Sequence, residues 1–476
     1  MFRKIIKTLI PRGLFRAIEP YGHLAEAVLA NIVYGFPARK LKVIGVTGTN
    51  GKSTTARLIH TMLDEAGYKV ALLSTVANGL GKDLVINPVH MTTDKSFRVF
   101  RQMKAFQQAG AEWVVLEITS HALAQNRAWG VLYQVAVMTN LTHEHLDYYG
   151  TFERYRAAKL RLFQQCNRNR RGLRVGVVND DDPSAQIFAA AVARPITYGI
   201  KSGELRATDI NSTATGSQFE AAYRPDLSSS GATRGSIGLD SRLRGNDSEI
   251  RGNDDEMRGN DSDMNSGTPS YELRTNLPGS FNISNSLAAA GVGMAIGLSA
   301  EQIERGIAAL DGVEGRMNTI DEGQDFSVIV DYAHTPDSFE KLLGEMKPLT
   351  KGRLIVMFGS AGRRDEGKRA VQGELAGRFS DVVVVTEEDD RDIDGLAIMN
   401  QIAAGAQKAG KVRDKDLFLV HDRAEAIAFA VNQAKPGDAV MLLGKGHERM
   451  IERADGEHPW DEAGTARKAV QARLKE

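Results

Sequence analysis

The chain has 476 residues, a length that predicts two or three domains rather than one. Its 60 Lys and Arg residues balance 60 Asp and Glu residues, which argues against a nucleic-acid partner and against an acidic tail. The single cysteine, Cys166, excludes an internal disulfide; we expect a packed thiol in a cytoplasmic protein. No stretch reaches the ~18 apolar residues at which a membrane span becomes plausible.

The N-terminal segment alternates basic and apolar residues over positions 1–18. The apolar run is too broken for a signal peptide, and Pro11 would interrupt a helix. We expect a short helical segment over residues 1–40 that packs on the next domain. Weak contact of this segment with a membrane surface is the alternative.

A glycine-rich loop follows the predicted strand Leu41–Ile44 and precedes a predicted helix. Its residues are Gly48, Thr49, Asn50, Gly51, Lys52, Ser53 and Thr54. This order is typical of phosphate-binding loops, in which backbone N–H groups and a helix N-terminus face the phosphates. Lys52 would reach the outer phosphates, and the hydroxyl of Ser53 or Thr54 would reach Mg²⁺. Val46 departs from the standard motif, which has glycine there.

Two further predicted strands end in side chains that suit a metal. Trp113–Glu117 delivers a carboxylate, and Val135–Met138 leads to His143, Glu144, His145 and Asp147. Ligands of open α/β sheets bind at this carboxyl edge of the strands. Glu117 is therefore either a metal ligand or a salt-bridged loop acid. His145 beside carboxylates fits a hard cation better than zinc, because no cysteine is near.

Three other polar residues have plain structural explanations. Thr92 and Thr93 lie in a predicted loop, where they fit a turn or a helix cap. Lys159 lies in a predicted helix over Tyr155–Phe163, and by pattern alone it is a solvated helix residue.

A low-complexity insertion occupies about residues 224–270. Three repeats are spaced by seven residues: Arg244-Gly245-Asn246-Asp247, Arg251-Gly252-Asn253-Asp254 and Arg258-Gly259-Asn260-Asp261. They lack an apolar seam and cannot form a coiled coil. The composition predicts a disordered insertion between the strands of a surface hairpin.

Strands and helices alternate again beyond the glycine-containing stretch 312–316, near which we place a domain boundary. The predicted strands are Ser327–Val330, Arg353–Phe358, Val382–Thr386 and Ala439–Leu443. The sequence therefore predicts an α/β protein with a mostly parallel sheet in a central domain of the P-loop ATPase type, over residues 41–314. A C-terminal Rossmann-like α/β domain would occupy residues 315–476.

The motifs, taken in order, resemble those of the Mur ligases of peptidoglycan synthesis, and within that family those of the tripeptide synthetases. They are Gly48-Thr49-Asn50-Gly51-Lys52, Glu117, Ser120-His121, Asn140…His145-Leu146-Asp147, Ala157-Ala158-Lys159, Asn282…Asn285, Arg316, and Asp331-Tyr332-Ala333-His334-Thr335-Pro336. The similarity runs from about Tyr34 to the C-terminus, apart from the insertion.

The resemblance implies roles for individual residues. Lys159 would be carbamylated and would hold Mg²⁺ together with Ser53, Glu117 and His145. The catalytic residues would be Lys52, Glu117, His145 and Lys159. ATP would also contact Asn282, Arg316, Asp331 and His334. The amino-acid and muramoyl-peptide substrates would contact Thr92, Thr93, Ser120, Arg391, Gly444 and Glu448.

The implied reaction is an ATP-dependent amide ligation. Phosphoryl transfer from ATP would convert a carboxylate of a UDP-N-acetylmuramoyl-dipeptide to an acyl phosphate, which an amino acid would attack. We expect a monomer that takes ATP, Mg²⁺ and these two substrates. A folylpolyglutamate or cyanophycin synthetase type of ligase is an alternative, as is a non-catalytic binding protein derived from a ligase.

The chain departs from the family pattern in two places. The resembled family carries an N-terminal domain that grips uridine, and we expect most of that domain to be missing before the loop. Enzymes that choose diaminopimelate carry Asp-Asn-Pro-Arg where this chain has Glu388-Asp389-Asp390-Arg391. Arg391 could still clamp a carboxylate, and Glu448 could pair with a distal ammonium. Diaminopimelate and lysine therefore both remain open.

Overall fold

The computed structural model describes residues 12–87, 93–142, 146–213, 215–225 and 270–475. Two separate sheets organise these residues, and each sheet is covered by helices. This confirms the predicted fold class, a mostly parallel α/β architecture with a second α/β unit.

The first sheet has eleven strands among the described residues. They are β1 Lys42–Thr47, β2 Val70–Leu73, β3 Ala77–Leu80, β4 Asp83–Ile86, β5 Trp113–Glu117, β6 Tyr133–Met138, β7 Val175–Asn179, β8 Arg194–Gly199, β9 Leu205–Thr213, β10 Gly216–Tyr223 and β11 Ser270–Thr275. Their order is β11-β10-β9-β8-β7-β6-β1-β5-β2-β3-β4. Pairing is parallel from β9 through β2 and antiparallel at both edges.

Helices cover both faces of this sheet. They are α1 Arg12–Tyr34, α2 Lys52–Glu65, α3 Ser96–Gln108, α4 Ser120–Ala124, α5 Leu146–Tyr149, α6 Phe152–Arg168, α7 Ala185–Ala189, α8 Ser280–Ile296 and α9 Ala300–Ala308, with a short 3₁₀ helix at Pro37–Lys40. One apolar core lies under α2 and α8, and the other lies under α3 and α6. Strands such as β1 and β5 are apolar on both sides because both of their faces are buried.

The second sheet has six strands in the order β12-β13-β17-β14-β15-β16. The strands are β12 Asn318–Ile320, β13 Ser327–Asp331, β14 Leu354–Phe358, β15 Val382–Val385, β16 Leu417–Leu419 and β17 Ala439–Leu443. Its helices are α10 Pro336–Leu349, α11 Gly367–Phe379, α12 Gly395–Lys408, α13 Arg423–Gln433 and α14 Glu462–Arg473, and a hairpin is formed by β18 Met450–Arg453 and β19 Gly456–Pro459. The predicted boundary at 312–316 falls between the two sheets.

Every strand predicted from the sequence is present, with ends shifted by a few residues at most. The short strands β3, β4, β12, β16, β18 and β19 were missed, because three or four residues are too few to show a period. Strands β8 and β9, of six and nine residues, were also missed. The insertion, residues 226–269, lies outside the described residues. Its flanking strands pair with Ala222 opposite Ser270, so the predicted hairpin position is confirmed.

Three local expectations have outcomes. Helix α1 continues through Pro20 to Tyr34 and lies within the helical segment expected over residues 1–40, while residues 1–11 lie outside the described part. Cys166 is fully buried, as expected, and burial raises the pKa of its thiol to about 12. The solvated interpretation of Lys159 is wrong, because the side chain is only 2% exposed. Within the described residues, no helix is long and apolar enough to cross a membrane.

Candidate active site

The phosphate-type loop between β1 and α2 is held by the segment that follows β6. The Thr49 backbone N–H donates to the carbonyl of Asn140 at 2.8 Å, and the Asn50 N–H donates to the Asn140 side-chain oxygen at 2.9 Å. The Thr139 hydroxyl donates to the carbonyl of Asn50 at 2.6 Å. These bonds fix the loop backbone, so its N–H groups are oriented before a ligand binds.

Lys52 begins α2 and folds back over the loop, where its ammonium donates to the Thr49 carbonyl at 2.7 Å. Gly51, immediately before it, has φ of +80°, a conformation that favours glycine. A Cβ on Gly51 would also overlap the side-chain oxygen of Asn285. Glycine at this position therefore permits both the turn and the approach of α8.

A carboxylate and a hydroxyl meet beside this loop. The Ser53 hydroxyl donates to Glu117 Oε2 at 3.0 Å, and Glu117 is 1% exposed. The Thr75 N–H and hydroxyl donate to the two Glu117 oxygens at 2.8 and 3.0 Å. The pair forms because β1 and β5 are parallel neighbours with Val46 opposite Glu117. Carboxylate and hydroxyl oxygens are ligands that Mg²⁺ accepts, so these residues fit that ion.

Lys159 points from α6 toward the same loop. Its ammonium donates a hydrogen bond to the carbonyl of Gly48, and its Nζ lies 4.7 Å from the centre of the Tyr155 ring. The Tyr155 hydroxyl in turn bonds the Thr49 hydroxyl at 3.0 Å. The structure therefore brings Lys159 to the loop, as the resemblance implied.

Two of the residues that are predicted to contact the muramoyl-peptide substrate, Thr93 and Ser120, lie at the end of β5. Thr93 and Ser120 are each 2% exposed. The Thr93 hydroxyl donates to the Glu117 carbonyl at 3.2 Å, and the Arg127 guanidinium donates to the Thr93 carbonyl at 3.1 Å. Thr92, His143, Glu144 and His145 lie outside the described residues, so their predicted roles stay predictions.

The asparagines of α8 connect the loop helix α2 to the segment that precedes α8. Asn285 accepts from the Thr55 hydroxyl at 3.1 Å and donates to the Asn282 side chain at 3.0 Å. Asn282 donates to the Pro278 carbonyl at 2.7 Å. The predicted nucleotide residue Asn282 thus belongs to a buried polar chain that begins on α2.

The other predicted nucleotide residues cluster at the end of β13. Asp331 accepts backbone N–H bonds from Met317 at 2.8 Å and Ala333 at 2.7 Å. Burial raises the pKa of its carboxyl, against the attraction of Arg316. The Arg316 guanidinium lies 4.7 Å from the Tyr332 ring centre, and its buried Nε finds no hydrogen-bond partner among the described residues. Such an orphaned donor is expected where a ligand completes the site.

His334 lies next to this cluster. Its Nδ1 is 2.8 Å from the Tyr332 carbonyl, and Lys368 donates to the His334 carbonyl at 3.0 Å. Burial lowers the pKa of the imidazole, so His334 is neutral near pH 7.

A second polar group forms at the carboxyl ends of β15 and β17, which lie on either side of β14. The Lys445 ammonium, 1% exposed, is 2.9 Å from Asp389 Oδ1 and 2.6 Å from Glu448 Oε2. Glu388 is 7% exposed. Burial raises the pKa of Glu388 to about 7, although Lys368, Arg423 and Lys445 oppose this. Gly444 is adjacent, since a Cβ there would lie 2.9 Å from Glu388 Oε2.

Two residues that are predicted to contact the amino-acid substrate, Arg391 and Glu448, have partners within the chain. The Arg391 guanidinium donates to Glu452 Oε2 at 2.6 Å and to the Gly362 carbonyl. Glu448 is paired with Lys445, as described above, and accepts from the Tyr332 hydroxyl at 3.2 Å. An incoming amino acid would have to share or replace these bonds.

Several residues at this site were missed by sequence reasoning: Thr55, Thr75, Thr139, Tyr155 and Lys368. Thr75 lies just beyond β2, so the rule that ligands gather at strand ends could have found it. Tyr155 and Thr55 lie inside helices, where no local signal separates them from core residues.

Comparisons with known proteins agree with this geometry. Residues 46–293 match the Mur ligase middle domain family, and residues 315–446 match the Mur ligase, glutamate ligase domain family. The chain is 39% identical to the UDP-N-acetylmuramyl-tripeptide synthetase of Roseiflexus sp. (strain RS-1), with 95% of this chain and 82% of the relative covered.

Two diaminopimelate ligases are also similar. The UDP-N-acetylmuramoyl-L-alanyl-D-glutamate--2,6-diaminopimelate ligase of Geobacillus thermodenitrificans (strain NG80-2) is 37% identical, with 96% of this chain and 84% of the relative covered. A solved structure of a ligase with the same name is 28% identical, covers 91% of this chain and 79% of its own, and has a TM-score of 0.61.

A phosphate-type loop beside a buried carboxylate fits a site for nucleotide phosphates, and the family matches and named ligase relatives make the protein an ATP-dependent ligase. With relatives at this identity over most of its length, the chain belongs to the Mur ligase family.

Proposed function

We propose that this protein joins diaminopimelate or lysine to the free carboxylate of a UDP-N-acetylmuramoyl-dipeptide, in the cytoplasm, with ATP as the phosphoryl donor. The hydrogen bond of 3.0 Å between Ser53 and Glu117 carries the proposal, because it joins a buried acid to the phosphate-type loop. The names of the tripeptide synthetase and diaminopimelate ligase relatives support this choice of substrates.

The two steps of the reaction make different demands on the protein. First, the substrate carboxylate attacks the γ-phosphorus of ATP, so that ADP leaves and an acyl phosphate forms. Then the amine attacks the acyl carbon, loses a proton and expels inorganic phosphate. In the first step the protein has to hold the substrate carboxylate close to the anionic phosphates of ATP, and in the second step it has to exclude water.

The residues at the loop would meet the first demand. Lys52, released from the Thr49 carbonyl, would neutralise charge on the outer phosphates. Ser53 and Glu117 would hold Mg²⁺, which supplies charge neutralisation between the phosphate and the carboxylate. Thr139 and Asn140 would hold the backbone of the loop in place beside the phosphates.

The group at the ends of β15 and β17 would choose the amine. Three carboxylates, Glu388, Asp389 and Glu448, surround one buried ammonium on Lys445. Carboxylates in this position would favour an amino acid with a second ammonium group over a neutral one. Both diaminopimelate and lysine carry that group.

The test is phosphate release from ATP with UDP-N-acetylmuramoyl-alanyl-glutamate and diaminopimelate, lysine or no amino acid. We expect release that requires one of the two amines. Lys52→Ala should lower it about 100-fold, as for loss of one preorganised charge contact. Lys341→Ala is the matched control, because this lysine pairs with Asp337 on the surface of α10.

Two outcomes would contradict the proposal. Release that Lys52→Ala leaves unchanged would exclude the loop as the site of phosphoryl transfer. If the wild type releases no phosphate with either amine, the acceptor is different, and acceptors that lack the uridine nucleotide come next.

A further inference from the structure

Helix α1 exposes a row of apolar side chains. Tyr21, Leu29, Ile32 and Val33 are 73%, 52%, 60% and 59% exposed, and Ala25 is exposed between them. Their spacing of three, four and eight residues places them on one side of the helix. We call these five residues the α1 stripe. It contains four of the thirteen large apolar residues that are exposed in the described part of the chain.

The opposite side of α1 is firmly packed. Ala27, Ala30 and Asn31 are fully buried, and Tyr34 contacts Phe97 of α3 with ring centres 6.3 Å apart. The Asn31 side chain donates to the Ala27 carbonyl at 2.9 Å and to the Trp129 carbonyl at 2.8 Å. The helix is therefore anchored with its small and polar residues inward, so its larger apolar residues face outward.

The loop that Asn31 binds adds to this apolar surface. Trp129 and Leu132 in that loop are 40% and 42% exposed. An exposed apolar surface of this kind on a water-soluble unit marks an interaction site.

The sequence that contains the α1 stripe carries a net positive charge. The stripe itself contains no charged residue, and the two nearby acids, Glu19 and Glu26, lie 3.9 and 3.5 Å from the ring nitrogens of His23. Residues 1–42 contain eight Lys and Arg residues against only these two acids, although the whole chain is neutral. Arg12 and Arg16 precede the stripe, and the exposed Arg39 and Lys40 follow it.

We propose that the α1 stripe docks this ligase on an anionic lipid surface. An apolar helix face with an aromatic residue and flanking basic residues would insert into the boundary between headgroups and acyl chains. The basic flanks would add attraction to negatively charged headgroups. A second copy of the chain fits less well, because it would bring the same positive flanks to the interface. This inference does not depend on the amino acid that the enzyme adds.

The experiment measures flotation of the full chain with phosphatidylcholine vesicles that contain or lack phosphatidylglycerol. We expect binding to the anionic vesicles that weakens as salt is raised. Leu29→Glu and Ile32→Glu should each reduce the partition coefficient about tenfold, because each replaces an apolar side chain that would enter the membrane with a charged one. Both sites are more than half exposed, so the variants should fold.

Val412→Glu is the matched control, because Val412 is also 52% exposed but lies near the second sheet. Arg39→Gln with Lys40→Gln should reduce binding only to the anionic vesicles. Equal binding of the wild type and both glutamate variants would overturn the proposal. So would a dimer in solution that the same glutamate variants dissociate, without any binding to vesicles.

Discussion

At the scale of the residue, Glu388 is the clearest case of a side chain whose surroundings oppose its charge. Burial raises the pKa of this carboxyl from 4.5 to about 7. The folded protein therefore holds this proton more tightly than the unfolded chain does. The contribution of Glu388 to the free energy of unfolding is complete below pH 4.5 and is lost as pH rises toward 7.

Glu388→Gln should remove this pH dependence. We expect the variant to gain up to about 3 kcal/mol relative to the wild type above pH 7, and little below pH 4.5. Urea denaturation of both proteins at the two pH values measures this difference in the free energy of unfolding. The control is Glu340→Gln, at an exposed position on α10. A difference between Glu388→Gln and wild type that is independent of pH would show that burial does not perturb this carboxyl.

Lys159 gives a second prediction at this scale. A carbamate would form when the neutral amine adds CO₂ and releases a proton, and the new carboxylate would lie beside the Gly48 carbonyl that now accepts from Lys159. We expect a carbamate signal in the ¹³C spectrum of the protein supplied with ¹³C-bicarbonate. Lys159→Gln should abolish the signal and Lys341→Gln should keep it. A signal that survives Lys159→Gln would assign the carbamate to another lysine.

At the scale of the element, the contact between α11 and α12 depends on glycine. A Cβ on Gly405 of α12 would overlap the backbone carbonyl oxygen of Ala370, and one on Gly373 of α11 would overlap that of Ile402. The two helices therefore approach until their backbones touch. Backbone atoms cannot move aside as a flexible side chain can, so the helices must separate to accept a methyl group.

Gly405→Ala should destabilise the protein by about 1–3 kcal/mol, the usual cost of overpacking. Gly344→Ala is the matched control in α10, where the nearest atom to a new Cβ is 3.7 Å away in Phe379. It should stabilise by about 0.5–1 kcal/mol, because alanine favours a helix interior. Thermal unfolding of both variants tests this, and equal effects of the two substitutions would contradict the close contact.

At the scale of the whole molecule, one carboxylate links a helix of the first α/β unit to a helix of the second. Glu345 of α10 accepts from the Ser280 N–H at 2.6 Å and from the Ser280 hydroxyl at 2.7 Å. Ser280 is the first residue of α8, so the negative charge also lies at a helix N-terminus, where it is favourable. Phe281, the next residue, packs on the core of the second sheet.

Glu345→Gln should weaken this link by about 1–2 kcal/mol, the difference expected for a hydrogen bond to a charged group. Because α8 also carries Asn282 and Asn285, we expect weaker ATP binding, measured by calorimetry. Glu340→Gln on the same helix is again the control. Unchanged affinity in Glu345→Gln would mean that the link does not position α8 for the nucleotide.

Part of the site was predictable from local sequence. The glycine-rich loop and the acid at the end of β5 could be found because each depends on a few adjacent residues and on the edge rule for parallel sheets. The loop and the acid come into contact, at 3.0 Å between Ser53 and Glu117, because β1 and β5 are neighbours in the sheet. The sequence did not show that neighbour relation, because strand order depends on packing between distant segments.

The sequence by itself determined the alternation of strands and helices, the phosphate-type loop and the acidic run Glu388-Asp389-Asp390, because propensity, periodicity and charge are local properties. Only the tertiary structure decided that Lys159 is buried, that Glu388 is deprived of water and that the α1 stripe faces outward. In each case the result depends on which distant surface covers the residue. An amphipathic pattern distinguishes the two sides of a helix, but it does not say which side finds a partner.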